Sequence, residues 1–275
     1  MFCLRRFILN FTSFKSPACL RLIAFLLLNS AAFGVNAFQP LMTDDTGTPE
    51  KGSNQLEFVA SQDWAKTAGE AAHLLKIPLV YTRGLTDTLE IHVGTQYARV
   101  RPNITGNDRG MGNPSIGAKW RFYENEKNGT SIALKSEISF PVSASREKAG
   151  LGVGKTSGNL TFILTQEVSF GEIHFNAAIG RDRFRDAGIA PDATLGRISV
   201  APVWKVTDKW QLALDAGIES KKGGGTTEYS RYVEPAVIFV PNKDLDLGLG
   251  FIAATNNQSP RTTTYTLIGS VTWQF

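Results

Sequence analysis

The chain has little cysteine and little histidine, and it lacks any long amphipathic helix. Its two cysteines, Cys3 and Cys19, both precede residue 20, so nothing beyond them can form a disulfide framework, a Cys-ligated zinc site or a cysteine nucleophile. The three histidines, His73, His92 and His174, form no i, i+4 pair, so the sequence gives no basis for a metal or a cofactor. No stretch keeps a capped 3.6-residue period, which excludes a helical core. The one sustained apolar run, Leu22 to Val35, follows Arg5, Arg6, Lys15 and Arg21 and precedes the small-residue stretch Val35-Asn36-Ala37. It is short and interrupted for a spanning helix, and the layout is that of a secretory signal peptide. Residues 1–37 are therefore read as an export signal cleaved near Ala37. Four of the 29 basic residues leave with it, and all 25 acidic residues remain. The remaining chain is formally neutral, so the pI near 9.0 belongs to the leader and argues for no nucleic-acid partner.

Gly150-Leu-Gly-Val-Gly-Lys-Thr-Ser-Gly158 resembles a phosphate-binding loop at its Gly-Lys-Thr ending. Such a loop needs a glycine where Ala149 stands, and it must open a helix. The residues after Gly158 alternate instead: Leu160, Phe162, Leu164, Val168 and Phe170 share one parity, opposite Thr161, Thr165, Glu167 and Ser169. A period of two is a strand. The glycines then mark a loop, with Lys155 solvated on it. Thr43-Asp44-Asp45-Thr46-Gly47 lacks the ligand spacing of a calcium loop and reads as a capped turn ahead of the first strand.

Twelve alternating runs fill the chain, near 54–64, 72–82, 89–101, 115–123, 130–142, 158–170, 173–182, 194–206, 210–220, 229–240, 245–255 and 262–275. They are longer than usual soluble strands and match a tilted bilayer crossing. Short connections alternate with longer, Gly-rich ones at 65–71, 102–112, 143–157, 183–193, 221–228 and 256–261. Leu89, Ile91, Val93 and Tyr97 oppose Glu90, His92 and Gln96; Trp210, Leu212, Leu214 and Ile218 oppose Gln211, Asp215 and Glu219. An apolar face toward lipid and a polar face toward a lumen describe a transmembrane barrel. Aromatics at run ends (Trp64, Tyr81, Tyr97, Tyr123, Trp204, Trp210, Tyr265, Trp273) supply interfacial girdles. The terminal Ser270-Val-Thr-Trp-Gln-Phe275 resembles the C-terminal signature by which bacterial outer-membrane proteins meet their assembly machinery. The expected fold is all-β: a single antiparallel transmembrane barrel of about 12 strands over residues 54–275, preceded by a periplasmic segment at 38–53, with both termini periplasmic.

Phe38-Gln-Pro-Leu-Met-Thr-Asp-Asp-Thr-Gly47, Gly84-Leu-Thr-Asp-Thr-Leu-Glu-Ile91 and Gly110-Met-Gly-Asn-Pro-Ser-Ile-Gly-Ala-Lys-Trp-Arg-Phe122 resemble elements of the "putative MetA-pathway of phenol degradation" family. Asn113 stands where that family usually carries aspartate. The resemblance implies a small outer-membrane barrel presumed to move small organic molecules.

Parity turns Glu90, Lys119, Arg121, Lys135, Glu137, Glu167, Arg197, Asp215 and Glu234 inward as candidate pore-lining residues. A lipid-facing cation at mid-depth costs about 2–4 kcal/mol. At 229–240 the parity is least distinct, because Ala236, Ile238 and Val240 are apolar as well as Val233, Pro235, Val237 and Phe239. The functional expectation is passive passage of a small organic solute, aromatic ones included. The expected partners are outer-membrane lipid and the assembly machinery that reads Phe275. The alternatives are a closed structural or surface-interaction barrel, and an outer-membrane lipolytic enzyme using His73. No catalytic residue, metal ligand or cofactor is assigned.

Overall fold

A computed structural model describes residues 40–102, 108–188 and 190–275; the signal-peptide reading of residues 1–37 lies outside the described residues. The strands are β1 Asn54–Thr67, β2 Glu70–Thr86, β3 Leu89–Arg101, β4 Arg109–Met111, β5 Ser115–Asn125, β6 Thr130–Ser139 and β7 Ser157–Val168. They continue as β8 Gly171–Asp182, β9 Ala193–Lys205, β10 Trp210–Gly223, β11 Thr226–Asn242, β12 Leu245–Asn256 and β13 Thr262–Gln274. A short helix, α1 Ala144–Lys148, lies between β6 and β7.

Apart from β4, each strand pairs antiparallel with the next along the chain, and β13 closes on β1 from Gln55↔Gln274 to Thr67↔Thr262. The seam ends in a reciprocal pair: Asn54 N–H donates to the Phe275 carbonyl at 2.8 Å and Phe275 N–H to the Asn54 carbonyl at 2.9 Å. The result is a closed barrel of 12 strands, with β4 an extra three-residue piece pairing with β3 beyond the start of β5. Closure leaves no unpaired edge, which a span through lipid requires.

The alternation read from sequence holds strand by strand. On β8, Ile173, Phe175 and Ile179 point out while His174, Asn176 and Ala178 are buried inside. On β11, Val233 and Pro235 face out and Glu234, Ala236 and Ile238 face in, which resolves the least distinct run. The outer face is a continuous apolar band in which Ile198 is 72% and Ile218 61% exposed. A band this extended is untenable in water. Lipid covers it, at about 1.5–3 kcal/mol per large side chain. Ring pairs Phe170–Trp204, Trp210–Phe239 and Trp273–Phe275 mark its border at the end of the barrel where β1 begins and β13 ends. The register shifts at Gly84/Thr86, Arg121/Tyr123 and Phe239/Asn242 also lie at that end, where bulges let strands end and bend.

Two of the six longer connections expected from sequence are tight turns. β1 and β2 run to Thr67 and Glu70, joined by Ala68 (φ 50°) and Gly69 (φ 91°); β10 and β11 are joined by Gly224 (φ 58°) and Gly225 (φ 81°). Two successive residues at positive φ give a hairpin turn whose twist matches the strands it joins. The longer loops therefore cluster over β3 to β9, with the β12–β13 connection separate.

Candidate functional site

The lumen is not empty. Residues 40–48, expected below the barrel, run inside it. Pro40, Leu41 and Thr43 are fully buried. Leu41 packs on Ala201, Val203, Ala213 and Ala236, small residues from β9, β10 and β11 that leave room for it. Pro40 approaches β12 at Gly248, where a β-carbon would lie 2.6 Å from Pro40 Cδ, so only glycine admits the segment there.

Wall side chains satisfy the segment's backbone as they would a strand's. Thr43 N–H donates to Asp215 Oδ2 at 2.6 Å, and its hydroxyl lies 2.7 Å from both Asp215 Oδ1 and Ser199 Oγ. Tyr232 O–H also donates to Asp215, at 3.0 Å. Asp44 N–H donates to Asn176 Oδ1 at 2.7 Å, and Asn176 Nδ2 returns a bond to the Asp44 carbonyl at 2.8 Å. Met42 N–H reaches Glu234 Oε2 at 3.3 Å, and Thr46 N–H reaches Thr165 Oγ1 at 3.2 Å.

The Asp44 carboxylate sits between two ammonium groups, Lys135 Nζ at 2.5 Å and Lys119 Nζ at 3.6 Å. Burial opposes its ionisation, but the two lysines outweigh burial and hold its pKa below the ordinary aspartate value. The turn expected at Thr43–Gly47 does form, with Gly47 N–H donating to Asp45 Oδ1, but it forms inside the barrel.

Of the nine sequence-assigned wall residues, Glu90, Lys119, Lys135, Glu137, Arg197, Asp215 and Glu234 are buried on inward faces. Lys119, Lys135, Asp215 and Glu234 hold the segment. Glu90 and Glu137 flank His92, at 3.9 and 3.6 Å. Arg197 stands directly across from Glu219 on the β9–β10 ladder. Arg121 and Glu167 lie instead at the rim, where Arg121 donates to the Asp87 carbonyl and pairs with Glu124, and Glu167 is exposed opposite Glu172. Sequence reasoning missed Thr43, Asp44, Ser199 and Asn176. They are short polar residues whose partners lie 75 to 172 positions away, and no local spacing reports that.

The opposite end is covered on one side. Ser143 caps α1, and the following loop turns inward so that Leu151 and Ala149 pack on Ala65, Ala72, Leu74, Ala98 and Val100. The glycine-rich stretch expected to be a flexible loop is thus largely buried, although Lys155 is exposed as expected. Two residues pin it. Glu147, 1% exposed, accepts from Gly154 N–H and Arg185 N–H at 3.0 and 2.7 Å. Asn113 Nδ2 donates to the carbonyls of Phe140 and Val153, while its Oδ1 accepts from Val153 N–H at 2.8 Å. An aspartate at 113 has no hydrogens for the first two bonds.

Two cavities lie inside the barrel among the described residues. One of about 140 Å³ reaches toward the loop end beneath the short turns, between Met42 and a wall of Val59, Ser61, Tyr232, Ile252, Thr266 and Ile268. Its charged groups are engaged: Lys76 with Asp63 at 3.2 Å, Glu228 with Asn256 at 2.7 Å, and Glu219 with Ser230 at 3.3 Å. The other, of about 220 Å³, opens at the turn end and carries Asp44, Asp45, Glu57, Glu90 and Asp246 against Lys119 and Lys135. The same inward faces of β1 and β13 line both, at Gln55 and Glu57 then Val59 and Ser61, and at Gln274 and Thr272 then Ile268 and Thr266. Met42 of the inner segment bounds the upper cavity and Asp44 and Asp45 the lower.

Solved structures share this architecture. The COG4313 outer membrane channel from Pseudomonas putida F1 aligns with a TM-score of 0.62 at 12% identity, over 84% of this chain and 98% of its own. The β domain of the Bordetella autotransporter BrkA aligns at 0.54 with 12% identity, over 82% and 100%. The NanC porin aligns at 0.51 with 7% identity, over 78% and 98%. At these identities the likeness establishes the fold, an outer-membrane β-barrel. No curated protein sequence matches the chain. A family model does match, across residues 37–271, and the chain belongs to the family described as "Putative MetA-pathway of phenol degradation".

Proposed function

We propose that the protein is a passive outer-membrane channel for small neutral or cationic organic solutes, exported by a signal peptide cleaved near Ala37. Its pathway follows the β1–β13 wall from the upper cavity, past Pro40–Met42, to the acidic vestibule. The observation that carries this reading is the pair of cavities on one wall, bounded by neighbouring residues of the inner segment, Met42 above and Asp44 and Asp45 below. The upper cavity, about 140 Å³, is close to the roughly 150 Å³ apolar cavity that accommodates benzene. Its size and mixed apolar and hydroxyl lining suit a solute of one ring. The vestibule's five carboxylates against two lysines disfavour anions. The family description and the channel among the structural relatives agree with this reading.

We read the chain as non-catalytic. His73 points outward between Trp64 and Arg101 on its neighbouring strands, with neither a serine nor a carboxylate directly opposite it, and this supports the channel reading over the lipolytic alternative. The closed-barrel alternative draws on the tether of the segment by Asp44 and Thr43. One experiment separates the two. Purified protein in planar bilayers under a KCl gradient should conduct with a cation-selective reversal potential; no conductance in the folded protein favours the closed barrel.

A further inference from the structure

Charge is sorted by sign across the barrel wall. Glu57, Asp63, Glu137, Asp215, Glu234 and every other acidic residue of the described strands fall on the inward parity, after allowing for the bulge in β5. The charged residues that point outward are all Lys or Arg: Lys66, Arg83, Arg99, Arg101, Arg109, Arg181, Lys222 and Arg231. Only Arg83 lies at the turn end; the others lie toward the loop end.

They are densest on β1 to β4. Arg99 and Arg109 are direct partners on the β3–β4 ladder, and His73 and Arg101 are direct partners on β2–β3, one pleat above. Lys66 lies diagonal to His73, across the β1–β2 pair. Directly opposed side chains on an antiparallel pair share a face at about 5 Å, and like charges there repel unless an anion lies between them. No described carboxylate stands opposite any of the three arginines on these ladders. Trp64 stands beside His73 and Leu75 beside Arg99, and beneath the patch the outer face carries Tyr97, Ile77, Leu79, Val93 and Phe58, interrupted by Gln62 and Thr95. The cations therefore stand just above the aromatic border, at headgroup depth.

We propose that Arg99, Arg101 and Arg109, with Lys66 and His73 at the margin, form a binding site for the phosphate groups of the glycolipid in the outer leaflet. Planar guanidinium groups bind phosphate oxygens in pairs, and three on adjacent strands match a headgroup bearing more than one phosphate. The site rests on the membrane orientation, with the loop end outside, and not on conduction; a barrel that passes no solute keeps it.

The test uses the full folded protein in neutral detergent with lipopolysaccharide, enzymatically dephosphorylated lipopolysaccharide, phosphatidylcholine or inorganic phosphate, binding being read by native mass spectrometry. Lipopolysaccharide should be retained by the wild type and by Arg83→Gln, and weakened about tenfold or more in the Arg99→Gln/Arg101→Gln/Arg109→Gln variant, given the affinity each cation adds at an anionic surface. Retained affinity in the triple variant, or equal binding of the dephosphorylated lipid, overturns the proposal. Binding of inorganic phosphate as tight as that of the lipid overturns the lipid assignment. Heat-modifiable gel mobility confirms folding. If the triple variant does not fold, Arg101→Gln and Arg109→Gln separately must each weaken binding, and unchanged affinity in both overturns the proposal.

Discussion

At the scale of single residues, Asp44 decides how the lumen is filled. It joins the inner segment to two buried lysines, 2.5 and 3.6 Å away. Removing one partner of a buried ion pair costs about 3–5 kcal/mol. Asp44→Asn is therefore expected to loosen the segment, raising single-channel conductance and lowering the thermal midpoint in detergent. Because the Asp44 pKa is held below the ordinary aspartate value of 3.8, the tether stabilises the segment above that pH. It should survive acidification through pH 3.8 and fail only as pH falls through the depressed value; conductance that rises already near about pH 5 would contradict this. Asn113 plays the matching part at the other end. Asn113→Asp should destabilise by about 0.5–1.5 kcal/mol through loss of the two bonds its Nδ2 donates to the Phe140 and Val153 carbonyls, measured as a lowered midpoint of thermal unfolding followed by circular dichroism. The inward positions of Lys119, Lys135, Asp215 and Glu234 were legible from parity. Their partners were not, because Thr43 and Asp215 are joined across 172 positions, a separation that no periodicity encodes.

At the scale of elements, the strands were legible and their connections only in part. A two-residue period survives burial, lipid exposure and bulges, because it follows from backbone geometry. Loop length does not follow from composition. Residues 221–228 read as a Gly-rich link, yet positive φ at Gly224 and Gly225 lets both strands run on until two residues join them. The β1–β2 turn reaches the same geometry with Ala68 at φ 50°, a conformation that costs an L-residue about 1–2 kcal/mol. Ala68→Gly should recover part of that cost and raise the thermal midpoint, while Gly225→Val should lower it; the reverse order would contradict the turn assignment. The 140–156 loop is a further case. Its glycines mark a loop correctly, but Leu151 and Ala149 are held under the barrel mouth by long-range packing.

At the scale of the whole molecule, a closed sheet with all its strand carboxylates inside separates two surfaces, one for lipid and one for solute. The loop between β6 and β7 covers part of the mouth by reaching β1, β2 and β3, and the remaining path runs along the inward faces of β1, β11, β12 and β13. The absence of cysteine after Cys19 makes this path open to single-thiol mapping. The most direct measurement is single-channel conductance of Thr266→Cys and Ala201→Cys before and after a cationic methanethiosulfonate. Thr266 lines the upper cavity, whereas Ala201 lies behind Leu41 with no exposed surface. The expected result is a large loss of conductance in Thr266→Cys and none in Ala201→Cys. Equal block in both, or none in Thr266→Cys, would contradict a pathway along the β1–β13 wall.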